Sequence, residues 1–282
     1  LLKINAVLAS PGGRLNTSIN YQIIHWDKHA HTSEDHRLLG EEPLSIRLQG
    51  NPYSVVMRTP GDEIPHAAGF CLGEGIVDSP DDFATIGFCD DDDTNVVTIT
   101  LHPSRRAKIS QILDRRGFIS QTSCGICGKE IVKDLYQAIK PVKKDVRIDI
   151  SGAHACLERL SELQPLRKKT RASHAAVLYD LNFELLSVAE DVGRHNALDK
   201  AVGKLFLDRK LDQAALLILS SRISYELVQK AARAKIPLIL AYSRPTSLAV
   251  ELASNLDITL ASMDDDDAGL YIYCGKQRLD RK

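Results

Sequence analysis

Residues 121–130, QTSCGICGKE, set two thiols, Cys124 and Cys127, two residues apart among glycines. Four chemistries suit such a pair: half of a zinc site, a dithiol/disulfide switch, a relay for a sulfur atom, or two thiols that are merely close. Zinc needs four ligands and this pair supplies two, while Cys71, Cys89, Cys156 and Cys274 form no second close pair. No structural metal is therefore expected within one chain, although two chains meeting on a two-fold axis would bring four thiolates together. A thioredoxin-like switch wants the pair at a strand-to-helix turn, which CGIC resembles locally, but GFISQTS precedes it and no partner loop is evident. Thiol-disulfide exchange is thus the second reading. A sulfur relay must present a thiolate to a large protein donor, which favours an exposed loop. Gly125 and Gly128 free the backbone there, and Lys129 with the start of a helix, KEIVKDLYQAI, lowers a thiol pKa. One thiol then accepts a sulfane sulfur and its neighbour helps to release it; Cys124 is taken as acceptor and Cys127 as helper, an order that the sequence does not fix and that could be reversed.

Composition narrows the setting. Lys plus Arg number 36 against 37 Asp plus Glu, so no global positive field marks a nucleic-acid binder, and an anionic ligand must be held locally. Six cysteines with one close pair are unlike a secreted disulfide framework and point to a reducing compartment. The longest apolar runs, such as AALLIL at 214–219, fall far short of the roughly 20 residues that span a bilayer. The opening LLKINAVLAS has too short an apolar centre for a secretory signal. A cytoplasmic protein without a membrane partner is expected.

The elements that must position the chemistry follow from periodicity. Residues 1–40, polar and His-rich, read as an irregular arm, and His25, His29, His31 and His36 lack the spacing of a zinc module. Residues 41–145 read as a smaller β-rich domain: a hairpin about Gly50 and Asn51, a helix over 64–77, a strand over 96–101 after an acidic turn at Asp90–Asp93, then the CGICG loop and its helix. A basic linker, KKDVRID, leads to residues 146–282. There a helix (152–163) and two strands joined at Leu181 and Asn182 precede alternating helices and strands: a helix from 194, AALLILS, a helix from Ser224, PLILAY, a helix from Thr246, DITLAS and LYIYCG. The fold class is α/β (α+β overall), with a mixed sheet in the second half. Ligands of such sheets bind beyond the carboxyl ends of the strands, against helix N-termini. AEDVGRHNALDK, SSRISYE and SRPTS fall at three successive strand ends, so Arg194, Arg222 and Arg244 are candidates to hold a pyrophosphate. Ser224 and Thr246 are equally helix caps, His195 a phosphate donor or a structural hydrogen bonder, and Asp191 a cap or an orienter of Arg194. Arg58, Asp62 and Glu63 make a charged turn near Pro60, and Cys71 belongs to packing.

Four stretches together, MRTPGDEIPHAAGFCLGEGIV (57–77), CGICGK (124–129), AEDVGRHNALDKAVG (189–203) and SSRISYELVQKAARAKIPLILAYSRPTSLAVELA (220–253), resemble the FdhD family of formate dehydrogenase accessory sulfurtransferases. The resemblance implies a sulfurtransferase that takes persulfide sulfur from a cysteine desulfurase and passes it to the bis-guanine-dinucleotide molybdenum cofactor for formate dehydrogenase. It also implies a homodimer that holds this cargo across two subunits. Carried onto this chain, Cys124 and Cys127 handle sulfur, and Arg58, His174, Asp191, Arg194, His195, Asn196, Arg222, Ser224, Arg244 and Thr246 are the cofactor-binding candidates. The second half would resemble cytidine deaminases, with His174, Ala175 and Ala176 and with Ser221, Arg222, Ile223 and Ser224 at the positions of their H-x-E and C-x-x-C motifs. Lacking the Glu and both thiolates, those positions cannot deaminate or bind zinc. This chain departs from the family at TRASHAA, where Arg171 and Ala172 replace glycines, and at Ser221, also commonly glycine; an altered backbone is expected at 171.

Overall fold

The computed structural model describes residues 16–28, 31–90, 93–115, 139–142, 144–264, 266 and 269–280. The first element corrects the expected irregular arm. Strands β1 (Ser18–Trp26) and β2 (His31–Leu39) pair antiparallel along their full length. Ile19, Tyr21 and Ile23 alternate with Asn20 and Gln22 on β1, which suits a pleated ribbon, but the polar β2 conceals the pattern.

A four-stranded sheet follows, ordered β4-β3-β6-β5, from β3 (Glu42–Leu48), β4 (Asn51–Arg58), β5 (Phe83–Asp90) and β6 (Asp93–Leu101). The β3–β4 turn is Gln49–Gly50, one residue earlier than expected, with φ of 54° and 81°. Two left-handed residues give the turn a twist that matches a hairpin. Helix α1 (Glu63–Gly73) stops four residues short of the expected end. Gly75 adopts φ 73° there, and the Ile76 amide returns to the Cys71 carbonyl. Strand β5 and helix α2 (Pro103–Arg115) were not foreseen; α2 opens on a proline, which suits the first turn.

In the second half, β7 (Ile148–Asp149) pairs with the closing β14 (Leu279–Asp280). Between them lie α3 (Ile150–Glu158), α4 (Pro165–Thr170), β8 (His174–Tyr179), β9 (Leu185–Asp191), α5 (Arg194–Leu207), β10 (Leu216–Arg222), α6 (Tyr225–Arg233), β11 (Leu238–Ser243), α7 (Ser247–Asn255), β12 (Thr259–Met263) and β13 (Leu270–Cys274). Their six-stranded sheet runs β13-β12-β11-β10-β8-β9; β10, β11 and β12 are mutually parallel and the outer pairings antiparallel. It is the mixed sheet expected. His174–Ala176 lie on β8, a strand rather than the helix that carries H-x-E in a deaminase, so the suggested correspondence fails in its geometry.

Both faces of the sheet are buried, which explains the unbroken apolar run at 214–219. Leu216, Ile218, Leu238 and Leu240 face α3 together with Leu157 and Leu160. Leu217, Leu219 and Ile239 join a larger cluster that crosses the linker to include Leu44, Ile46, Phe70 and Ile99. The seam of that cluster is α1 packed along α5. At Gly203 an added Cβ would lie 1.8 Å from the Pro65 carbonyl oxygen, and at Gly69 1.9 Å from that of Asp199. The two helices therefore touch backbone to backbone. Gly203→Ala should lower the unfolding free energy in urea by about 1–3 kcal/mol by forcing the helices apart. Gly87→Ala, whose Cβ meets nothing within 4 Å, should leave it nearly unchanged.

Candidate functional site

The carboxyl edge of the six-stranded sheet gathers most of the candidate residues. Asp191 ends β9 opposite His174, the first residue of β8, and Arg222 ends β10 in register with Ser243 of β11. Arg194 and His195 begin α5, Ser224 precedes α6 and Thr246 precedes α7. Three helix N-termini thus abut one edge, a setting that favours anions.

Beneath that rim lies a buried polar knot. The Asp191 carboxylate, inaccessible to solvent, accepts hydrogen bonds from the amides of Thr59 (3.1 Å) and Gly193 (2.9 Å) and from Asn196 Nδ2 (2.9 Å). Lys200 Nζ lies 2.7 Å from Asp191 Oδ2 and donates to the Thr59 carbonyl at 2.6 Å. Asn196 also donates to the Met57 carbonyl (2.7 Å), and the Val192 amide donates to Thr59 Oγ1 (3.0 Å). Arg58 is equally buried, with Nη2 2.6 Å from Asn95 Oδ1 and 3.1 Å from Glu63 Oε1, and Glu42 3.6 Å from Nη1. Arg58, Asp191 and Asn196 are therefore brought together, with their polar atoms directed at protein. Asp191 does bond the amide two residues on, as a cap would, but its cation is Lys200 rather than Arg194. Thr59 and Lys200 were not singled out from sequence, although both stand inside the quoted motifs.

The remaining candidates line the rim. Arg222 and Arg244 are exposed; Arg194, His174 and His195 are half-buried. Burial pushes the His174 pKa below its usual range, and the neighbouring Arg194 and Arg167 push it further down, so His174 is neutral at pH 7. His195 Nε2 lies 3.0 Å from Glu226 Oε2, and the hydrogen bond from His195 draws the Glu226 pKa down. Thr246 is a true cap, accepting from the Ala249 amide at 3.3 Å. Ser224 holds the N-cap position without that bond; its hydroxyl lies 3.3 Å from Glu226 Oε2 and 3.4 Å from His195 Nε2. Beside His174, the Glu190 carboxylate accepts from the Leu166 and Arg167 amides and from Ser173 Oγ, and so fixes the basic helix α4. At 171 the backbone is left-handed all the same, φ 56°, so the turn keeps a glycine-like conformation with an arginine in it. Ser221 is buried, with its hydroxyl donating to the Arg222 carbonyl. Among the described residues no group of three His, Cys, Asp or Glu is placed to hold a metal ion. Cys124 and Cys127 lie outside the described residues, as does the helix expected after them up to residue 138.

The model of the FdhD/NarQ family matches residues 39–280. The chain belongs to the FdhD/NarQ family. It is 37% identical over 240 residues to the sulfur carrier protein FdhD of Xanthomonas campestris pv. campestris strain B100, covering 85% of this chain and 84% of that one. It is 36% identical over 252 residues to the protein of the same name from Streptomyces avermitilis, covering 86% and 88%. In fold it is similar to a protein from Desulfotalea psychrophila described as a formate dehydrogenase accessory protein. The TM-score is 0.75 at 22% identity, over 94% of this chain and 100% of that one. No helix among the described residues of this FdhD/NarQ member is long and apolar enough to cross a membrane.

Two neutral imidazoles give the site a pH signature. His66, a fully buried residue of α1, has its pKa held well below the usual value by burial and by the charges of Lys200, Lys230 and Arg58, as burial does more mildly for His174. Both groups bind protons more weakly in the folded than in the unfolded chain. Their contribution to stability is full above the unfolded value of about 6.5 and is lost as pH falls below it. Unfolding midpoints in urea should fall between pH 7.5 and pH 5.5, and His66→Gln should flatten that slope.

Proposed function

We propose that this FdhD/NarQ member is a sulfur carrier in formate dehydrogenase maturation, working as a homodimer in the cytoplasm. The match to the family over residues 39–280, a span that includes Cys124 and Cys127, carries the reading. Its sulfur comes from a cysteine desulfurase: a thiolate, assigned to Cys124, attacks the terminal sulfur of the donor's persulfide, and the donor's thiolate leaves with no net redox change. For release, the Cys127 thiolate attacks the inner sulfur of the Cys124 persulfide. A Cys124–Cys127 disulfide forms, and the sulfane sulfur departs as hydrosulfide carrying the bonding electron pair. An external thiol reductant then restores the dithiol. The acceptor is the bis-guanine-dinucleotide molybdenum cofactor, whose phosphates suit a sheet edge lined by Arg194, Arg222 and Arg244, three helix N-termini and the neutral His174. On this reading the buried Arg58, Asp191 and Asn196 serve the cargo by fixing the backbone beneath it.

Incubation with a cysteine desulfurase and cysteine, alkylation and peptide mass spectrometry test the carrier step. One added sulfur is expected on the peptide holding Cys124 and Cys127, lost in Cys124→Ala. A Cys124–Cys127 disulfide with no persulfide would instead indicate thiol-disulfide exchange. Unchanged formate dehydrogenase maturation with both thiols replaced by alanine would leave only a cofactor chaperone.

A further inference from the structure

The β1–β2 ribbon has no part in the sulfur reading, since the family match begins only at residue 39. Its strands pair with each other alone, and its main contact with the rest of the described chain is that of β2 with the basic helix α4. A two-stranded hairpin standing in water is marginally stable, and nine-residue strands carry this one about 27 Å from its base. Both of its faces are apolar in part. The register puts Ile19 and Tyr21 with Leu38, His36 and Glu34 on one face, and Ile24 and Trp26 with Ser33, His31 and Asp35 on the other. The second face is the more open: Ile24 is 73% exposed, and Trp26 stacks on His31 yet remains 74% exposed.

Helix α4 offers the complement. Arg167 donates to the Ser173 carbonyl, but Lys168, Lys169 and Arg171 are exposed and make no ion pair among the described residues, and the same holds for Asp35 on the ribbon. The copy's own α4 thus lies against β2 without covering Trp26 or neutralising Asp35. An open indole and a lone carboxylate suit a row of unpaired cations, through the ring face and through charge. Each copy of the chain carries one ribbon and one α4, and a two-fold interface requires such a self-complementary pair of patches. A stable interface covers about 800 Å² on each partner, and a ribbon of this length with its exposed apolar side chains supplies a patch of that order.

We propose that the ribbon is the arm of the homodimer. Across a two-fold axis its Ile24, Trp26 and Asp35 face lies on α4 of a second copy, with a cation of that helix over the indole and Asp35 beside Lys168 and Lys169 of the partner subunit. The second ribbon returns the same contact. The inference rests on the homodimer reading above and adds the surface that makes the dimer. Because Glu190 fixes α4 beside His174, each arm abuts the sheet edge of the other copy.

Sedimentation of the full chain over a range of concentrations tests it. The wild-type chain should sediment as a dimer. Ile24→Ser with Trp26→Ser should raise the dissociation constant more than tenfold, and Asp35→Lys about tenfold by setting like charges together. Adding Lys168→Glu and Lys169→Glu to Asp35→Lys should restore most of the affinity, a rescue that damage to the ribbon would not show. Thr32→Lys, on the opposite face, should change nothing. If the wild-type chain is a dimer and the Ile24/Trp26 variant dissociates no more readily, the interface lies elsewhere and the arm assignment falls while the homodimer reading stands. Lack of rescue in the triple variant removes α4 as the receiving surface and overturns the assignment likewise. A wild-type chain that is monomeric at every concentration overturns both readings.

Discussion

The contact on which the rest of the molecule depends is the Asp191–Lys200 pair, closed at 2.7 Å out of reach of solvent. A buried charge pair contributes little to net stability on its own, because desolvation offsets most of the attraction, yet removing one partner strands the other at a cost of about 3–5 kcal/mol. Here the Asp191 carboxylate accepts from Thr59, Gly193, Asn196 and Lys200, and Lys200 also donates to the Thr59 carbonyl. It joins the loop after β4 to the start of α5, segments more than 130 residues apart. The backbone contact of α1 and α5 at Gly69 and Gly203 lies on the same side of the molecule, so the core and the knot fix one geometry together.

That geometry determines what the rim can do. The knot keeps its charges for itself and turns the first residues of α5, Arg194 and His195, outward. Around them the fold separates groups of similar type by environment. His174 is neutral because it is desolvated among arginines, whereas His195 is paired with Glu226 on the next helix. A second, largely buried pair, Asp199 with Lys230 at 2.8 Å, joins α5 to α6 behind them. The positive charge at the sheet edge comes from arginines and helix ends rather than from the net charge of the chain, which is −1.

Much of this was legible in the residues and some was not, for physical reasons. The six-stranded sheet announced itself because each buried strand is a run of Leu, Ile and Ala bounded by polar helix starts. Arg194, Arg222, His195 and Thr246 were found at its edge because strand ends followed by capping residues have a local signature. The role of Asp191 had no such signature. Its partners are nine residues ahead and 132 residues behind, and a long-range pair leaves no periodicity in one sequence. Burial likewise moved Arg58 from expected ligand contact to structural clamp. Helix α2 was missed because its polar residues hide any apolar stripe. The arm became a hairpin because β2, with Glu34, Asp35 and His36, borrows its strand character from β1 through backbone pairing, helped by the His25–Glu34 and Trp26–His31 contacts across the pair. At 171 the surroundings over-determine the turn, so an arginine accepts a left-handed φ that glycine would adopt without cost.

On the proposed function, a buried carboxylate, Asp191, fixes the backbone of the edge that would hold the cargo's phosphates. Asp191→Asn preserves shape and removes the charge, so GDP affinity measured by calorimetry on the folded variant, with amide exchange followed over residues 192–197, tests it most directly. The account predicts affinity weakened about tenfold or more, together with faster exchange across that segment while the exchange of β10 and β11 is unchanged. GDP affinity equal to that of the unaltered chain, with the 192–197 amides as protected as before, would contradict it.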